Sequence, residues 1–488
     1  MRWFLILLLP TTILCQTQPS AKAKAKPQEV IKLDELLLSK IAKESAPGIK
    51  QLEATMQSAK LNRDSIEDQY HWRLQTDATY VKANEKALAQ FAPVTTDISQ
   101  LQAAVIKPFS SGFQVGLSAF TNQTTDTFVQ DATDTGFGLN LSVDLMKNLF
   151  GKLSKSQLRN AEALSKKAEL EKEIQEKAFI QSLRKIYWAI VATEEQIKIS
   201  KELLATSLQQ LRDTERRRKS NVSDDGDVAR SRSQVASRRS TILLLEYQRE
   251  SQFQLLKEQL PTIANKKVVL ANVNLTDAVG EVLECTAVIE NQRETPYNFT
   301  QYDEVLDLVN QAYQERKTIS DSTDGWDLKL NGEARRFGKE RGFDNSVDGF
   351  TDDNQSRYTV GLQLNIPLDG KKSTTEDTLK LVDEKRFLAE KEMITARMNA
   401  FHTQTLTNIV LLQRAVRTQG ENSKDLNTSL KSAKKKFNQA RLGFRELIAD
   451  QDLLLRSNLD EVTTKLTVVT TLLDYFSVFN QTPCSLNK

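Results

Sequence analysis

From Glu29 to about Ala92 the apolar positions recur at helical spacing, with a break at Ala46-Pro47-Gly48 and a stop at Pro93. The period then changes. Phe113, Val115 and Leu117 alternate with Gln114, Gly116 and Ser118. Phe137, Leu139, Leu141, Val143 and Leu145 alternate in the same way with Gly138, Asn140, Ser142 and Asp144, so a β-hairpin is predicted over about 108–146, its loop rich in Thr, Asn and Asp. Helical spacing returns from about Lys152 to Arg218, where Leu183, Ile190, Ile197, Leu204 and Leu211 stand seven residues apart and form a coiled-coil-like seam. At the α-helical rise such a run extends roughly 100 Å, far more than a compact core requires. A turn at 221–226 leads into a second helix from Asp227 to about Leu260, which Pro261 ends.

The plan then recurs. Residues 262–300 are weakly periodic and read as a connecting segment. Beyond them Trp326, Leu328 and Leu330 alternate as the first strand did, a polar, Asp-rich loop follows, and Val360, Leu362, Leu364, Ile366 and Leu368 form a second strand. A long helix is predicted from about Lys372 to Phe437, then a tip and a return helix from Glu446 to about Phe476. Gly138–Leu145 aligns with Gly361–Leu368, and the tip 218–228 aligns without gaps with 437–447. Self-similarity at this period indicates duplication. The first repeat occupies 29–261, with hairpin about 108–146 and tip about 218–228. The second occupies 301–476, with hairpin about 325–368 and tip about 437–447, and 477–488 form a C-terminal tail.

Composition supports an elongated molecule: 488 residues carry only 17 Gly and 10 Pro, few punctuating positions for so long a chain. The net charge of +3 gives no reason to expect nucleic acid as a partner. Residues 1–21 have the layout of a cleaved secretory signal, with Arg2 ahead of the apolar run Trp3–Leu9 and then Pro10. Residues 22–28 read as a disordered mature terminus. Lipid modification of Cys15 is the lesser alternative, because the bulky Leu14 precedes it. In an oxidising compartment Cys285 and Cys484 form a possible disulfide, the alternative being two unpaired thiols. After the signal no apolar run is long enough to cross a bilayer as a helix, so any membrane insertion must use strands closing a barrel.

The order, spacing and duplication of these elements resemble the TolC-like outer-membrane efflux family across essentially the whole mature chain. Val360-Gly-Leu-Gln-Leu-Asn-Ile-Pro-Leu-Asp-Gly370 is similar to the family's strand exit, and Phe437 with Glu446-Leu-Ile-Ala-Asp-Gln451 is similar to its helix tip. The tip glycine of that pattern is replaced by Asn221 in one half and Ala440 in the other; Asn tolerates a left-handed backbone and Ala does so poorly, which points the second turn towards Gly443. The resemblance implies a mainly α protein with a membrane β-barrel part. Three chains would give four strands each to one barrel and long helical hairpins to one tunnel. It further implies an outer-membrane channel for efflux or type I secretion, working passively with a periplasmic adaptor and an inner-membrane pump, its helices in the periplasm of a Gram-negative-type cell. Four strands cannot close alone, and this explains the need for partners.

Under that reading the tips carry the candidate chemistry. Asp227, Glu446, Asp450 and Asp452 are candidate entrance acids, which three-fold symmetry would turn into carboxylate rings favouring cations. The plainer reading makes the tip acids helix N-terminal carboxylates at the positive end of the dipole. Arg218, Asn221, Val222, Phe437, Ala440, Arg441, Gly443 and Arg445 are candidates for inter-helix links or adaptor contacts. No nucleophile–base pair, phosphate loop, cofactor fingerprint or metal-ligand spacing is visible, and the chain is expected not to be an enzyme. A periplasmic adaptor, with a single helical hairpin between β-rich modules, and an elongated structural coiled coil are the alternatives.

Overall fold

The computed structural model describes residues 29–83, 94–126, 131–271, 274–291, 300–323, 326–352, 355–366, 371–439 and 441–478. The expected signal peptide and disordered mature terminus, together with Cys484, lie outside them. The chain begins with β1 (Val30–Leu33), α1 (Glu35–Ser45) and α2 (Pro47–Asp68). Four strands follow: β2 (Arg73–Lys82), β3 (Thr95–Pro108), β4 (Phe113–Asp126) and β5 (Ala132–Asp144). The long helices α3 (Lys152–Lys219) and α4 (Asp225–Gln259) make an antiparallel hairpin. β6 (Lys267–Leu270), α5 (Leu275–Asn291) and α6 (Thr300–Thr323) lead to β7 (Asp327–Arg341), α7 (Phe343–Asp352) and β8 (Gln355–Asn365). The second helical hairpin is α8 (Lys371–Asn438) with α9 (Phe444–Val478).

Among the described residues one antiparallel sheet has the order β2-β3-β4-β5-β7-β8. The four strands expected from alternation are present as β4, β5, β7 and β8. β2 and β3 are additional, and β2 occupies a stretch whose spacing predicted helix as far as Ala92. Helix in fact ends at Asp68. Beyond it Leu74, Thr76, Ala78 and Tyr80 alternate with Arg73, Gln75, Asp77 and Thr79, a period of two that only the pairing with β3 makes decisive. A small parallel pair, β1 with β6, ties the N-terminal segment to the residues after α4.

The principal core lies where α1, α5 and the central part of α3 meet the sheet-side ends of α4 and α9. Tyr187, Ile190, Leu256, Leu260, Leu472 and Leu473 are fully buried there. Within it Glu35 accepts hydrogen bonds from Trp188 Nε1 at 3.1 Å and from Arg184, so its carboxylate is buried with partners. A smaller cluster stacks Tyr313 of α6 on Phe387 of α8 at 4.3 Å.

The α3 seam changes character along its length. Leu183, Ile190 and Ile197 are buried as the heptad spacing predicts, whereas further on the buried positions are Ser200, Ser207 and Thr214. Small side chains there suit a close approach to α4, where the Ser231 hydroxyl donates to Thr214 Oγ1 at 3.4 Å. Four basic residues, Arg216 to Lys219, fill the last turn of α3 at the negative end of its dipole.

Candidate functional site

Two features have functional geometry: the faces of the sheet and the tips of the helical hairpins. Cross-strand register assigns each sheet residue to a face. The row Leu74, Val105, Leu117, Leu139, Ala334 and Tyr358 crosses all six strands on one face. Its neighbours there include Leu101, Phe137, Leu141, Val360, Leu362 and Leu364, and nearly all are exposed, Val360 at 79%. The opposite row, Gln75, Ala104, Ser118, Gly138, Arg335 and Arg357, is small or polar. An exposed apolar face this wide, backed by a polar one, is unlike a water-soluble sheet, which turns its apolar side to a core. It matches a barrel wall with lipid outside and water inside.

Aromatic residues mark the limits of this face. Trp72 precedes β2, Phe113 opens β4 and Trp326 precedes β7, all at the helix-proximal end. Phe109 stacks on Phe113 at 4.4 Å, and the Lys107 ammonium lies 5.8 Å from the Trp72 ring centre. At the far end α7 lies against β5 and β7, with Phe350 meeting Phe137 edge-on at 5.5 Å and the Ser346 and Thr135 hydroxyls 2.7 Å apart. Gly338 is required here, because an added Cβ would come within 2.2 Å of the Ser346 carbonyl oxygen.

At the other end of the molecule the tips turn as capped helix ends. Asn221 takes the left-handed conformation, φ 55°, that its residue type permits. Asp224 caps α4, its Oδ1 accepting from the Asp227 backbone N–H at 2.7 Å, and Asp225 and Asp227 occupy the first turn. Arg218 pairs with Asp225 at 2.6 Å and closes the first tip on itself; the exposed Val222 lies between them. Asp227 approaches Arg230 at 3.6 Å. In the second tip Glu446 is in the first turn of α9, exposed, and without an ion pair among the described residues. Arg441, Gly443 and Arg445 are exposed beside it, while Ala440 lies outside the described residues.

The two tips are joined by contacts of which the sequence indicated only one partner each. Arg217 stacks on Phe437, its guanidinium carbon 4.4 Å from the ring centre. Arg238, nearly buried, pairs with Asp452, and beside it Gln234 Nε2 donates to Gln451 Oε1 at 3.1 Å. The signal for Arg238 and Gln234 was present: both interrupt the buried stripe Val228, Ser231, Val235 and Ile242 of α4. A polar residue in a helix seam needs a partner across it. Asp450 is half-buried and joins no such pair among the described residues.

Cys285 is buried in the principal core and disulfide-bonded; the expected partner Cys484 lies outside the described residues. Among the described residues there is no cluster of His, Cys, Asp and Glu able to hold a metal ion, and no helix is long and apolar enough to cross a membrane.

A model of the outer membrane efflux protein family matches residues 109–260, from β4 to the end of α4. No curated relative matches the chain. Solved structures share its fold along nearly its whole length. CusC, described as forming a transmembrane channel, is 13% identical, with 95% of this chain and all of that one covered at a TM-score of 0.67. The outer membrane channel CmeC of Campylobacter jejuni is 12% identical, with 98% and 95% covered at 0.65. The open-state outer membrane channel MtrE of Neisseria gonorrhoeae is 13% identical, with 91% and 88% covered at 0.62. The family match and the common fold bear out the resemblance read from the sequence, and the proteins that share the fold are described as channels.

Proposed function

We propose that this chain is a subunit of an outer-membrane efflux channel, three copies of which close one barrel in the lipid and one helical tunnel beneath it. The observation that carries the reading is the sheet: an exposed apolar face, a polar opposite face, and two edge strands, β2 and β8, whose outer sides are unpaired among the described residues. In hydrocarbon an open edge leaves backbone N–H and C=O groups without partners, so further copies must supply them. The helices carry the same message. Leu243, Leu244 and Tyr247 on α4 and Leu379, Leu388 and Met393 on α8 are exposed in the single chain, apolar surface suited to neighbouring subunits.

Cargo passes through such a conduit without chemistry, and the tips are its entrance. Asp227, Glu446 and the less exposed Asp450 supply carboxylates whose symmetric copies attract cations, while the outward tip residues Val222, Arg441 and Arg445 form the surface offered to a periplasmic adaptor and its inner-membrane pump. Export of drugs, ions or proteins, the last by type I secretion, is compatible with this arrangement. An adaptor would carry one helical hairpin, whereas this chain has two, together with a membrane-type sheet.

Planar-bilayer recording of the purified protein tests the reading. Discrete channels are expected, with Glu446→Gln and Asp227→Asn lowering cation selectivity or altering conductance. Unchanged conductance and selectivity in both variants reject these two acids as the entrance charge, and absence of any channel rejects the conduit itself.

A further inference from the structure

We propose that β2 and β3 are a third membrane hairpin of each chain and that β2 is the edge that receives β8 of the neighbouring copy, so that three copies close eighteen strands instead of twelve. The inference rests on the trimeric channel reading and deepens it by naming the strands that meet.

The backbone pairing is the first ground. β3 lies along β4 from Pro108 opposite Gln114 to Thr95 opposite Asp126. The edge of β4 is therefore already filled, and a ring made only of β4, β5, β7 and β8 would have to strip β3 away. β2 in turn fills β3 from Arg73 opposite Ile106 to Lys82 opposite Asp97, and among the described residues its own outer edge is open. β2 leads away from the helices and β8 returns to them, so β8 beside β2 of another copy is antiparallel, like every pair already in the sheet. An even number of strands per chain keeps that alternation intact around the ring.

The faces are the second ground. Leu74, Ala78 and Tyr80 of β2 and Val105, Ala103 and Leu101 of β3 fall on the same side as the apolar residues of β4 and β5. Gln75, Asp77 and Thr79 fall on the polar side. Thr76 is the one polar residue on the apolar side from Leu74 to Tyr80; towards the loop Lys82, Asp97 and Ser99 join it, and Val81, Ile98 and Ile106 lie on the polar side. A periplasmic hairpin has no reason to continue the lipid-facing pattern of a membrane sheet in register. The third ground is position: Trp72 stands before β2 as Trp326 stands before β7, at one level and in the aromatic belt expected of a membrane interface. With 10 residues β2 is long enough to span as a tilted strand. Barrel diameter rises roughly in proportion to strand number, so the exit is about 1.5-fold wider than a twelve-stranded ring allows.

Interchain disulfide formation in the membrane-embedded full-length protein discriminates the two rings. Gln363→Cys on β8 is combined with Gln75→Cys or Asp77→Cys on β2, and separately with Gln114→Cys or Ser118→Cys on β4; all five positions lie on the polar face. The chain without introduced cysteines sets the background. Cross-linked dimers are expected from the β2 combinations, with the β4 combinations at background. Cross-links from β4 and none from β2 overturn the proposal. Where neither set cross-links, nitroxide labels placed singly at 74, 75, 77 and 78 decide. Oxygen accessibility high at 74 and 78 and low at 75 and 77 upholds it, and uniform access to a water-soluble reagent overturns it. Particle mass is measured on the same samples. A trimer with a water-exposed β2 removes only this inference, whereas a monomer removes the trimeric reading as well.

Discussion

Glu315 on α6 accepts two hydrogen bonds from the Arg159 guanidinium of α3, at 2.6 and 3.0 Å, just below the sheet. The bond to Arg159 holds its carboxyl below the ordinary 4.5, against the opposing effect of burial and with help from Ser156. A depressed folded value means that the pair stabilises the protein fully above about pH 4.5 and that this contribution is lost as pH falls through the lower, folded value. Glu315→Gln is therefore expected to cost about 1 kcal/mol at neutral pH. The difference from wild type should vanish in acid, as thermal unfolding at stepped pH would show. Single residues were unevenly legible in the sequence. Asn221 could be read as a left-handed turn residue from its chemistry, and φ 55° agrees. Glu315 could not, because its partner lies 156 positions away along the chain and nothing local announces the pair; Arg238 stands out locally as a charge in an apolar stripe, but its partner, 214 positions away, does not.

At the scale of elements, the Arg238–Asp452 pair and the Gln234–Gln451 bond fasten α4 to α9 near the tips. Arg238→Ala leaves Asp452 half-exposed to water, so the stability cost should be modest, about 1–2 kcal/mol. The mechanical effect should be larger: freed α4 tips are expected to raise single-channel conductance severalfold, with Arg238→Lys retaining part of the wild-type behaviour. An unchanged conductance would make the pair a structural fastening only. In the sheet, Leu362→Arg places a charge on the apolar face, which the proposed barrel turns to lipid, and Gln363→Arg places one on the polar face. The first should destabilise the folded barrel by about 2–4 kcal/mol if it lies near the midplane, and the second should be nearly neutral. Urea unfolding in liposomes compares them directly.

The long helices were read to within about two residues at most ends, because dozens of periodic positions agree with one another. β2 and β3 were missed for the opposite reason. A membrane strand carries its signal in about ten residues, and Thr76, Ala78, Ala103 and Ala104 dilute the contrast between faces. Register against neighbouring strands supplies what local alternation lacks.

At the scale of the whole molecule, the described residues leave the apolar sheet face uncovered and the outer sides of β2 and β8 unpaired, which is the ground for the proposed assembly. Each half joins strands to a helical hairpin of the same make-up, 68 residues followed by 35, as the proposed duplication and a ring of matched strand exits and tunnel walls would require. The direct test is the mass of the protein extracted intact from the outer membrane into mild detergent, read by native mass spectrometry. The account predicts a particle of three chains that dissociates only on denaturation. A single chain, recovered freely soluble from the periplasm without detergent, would contradict it.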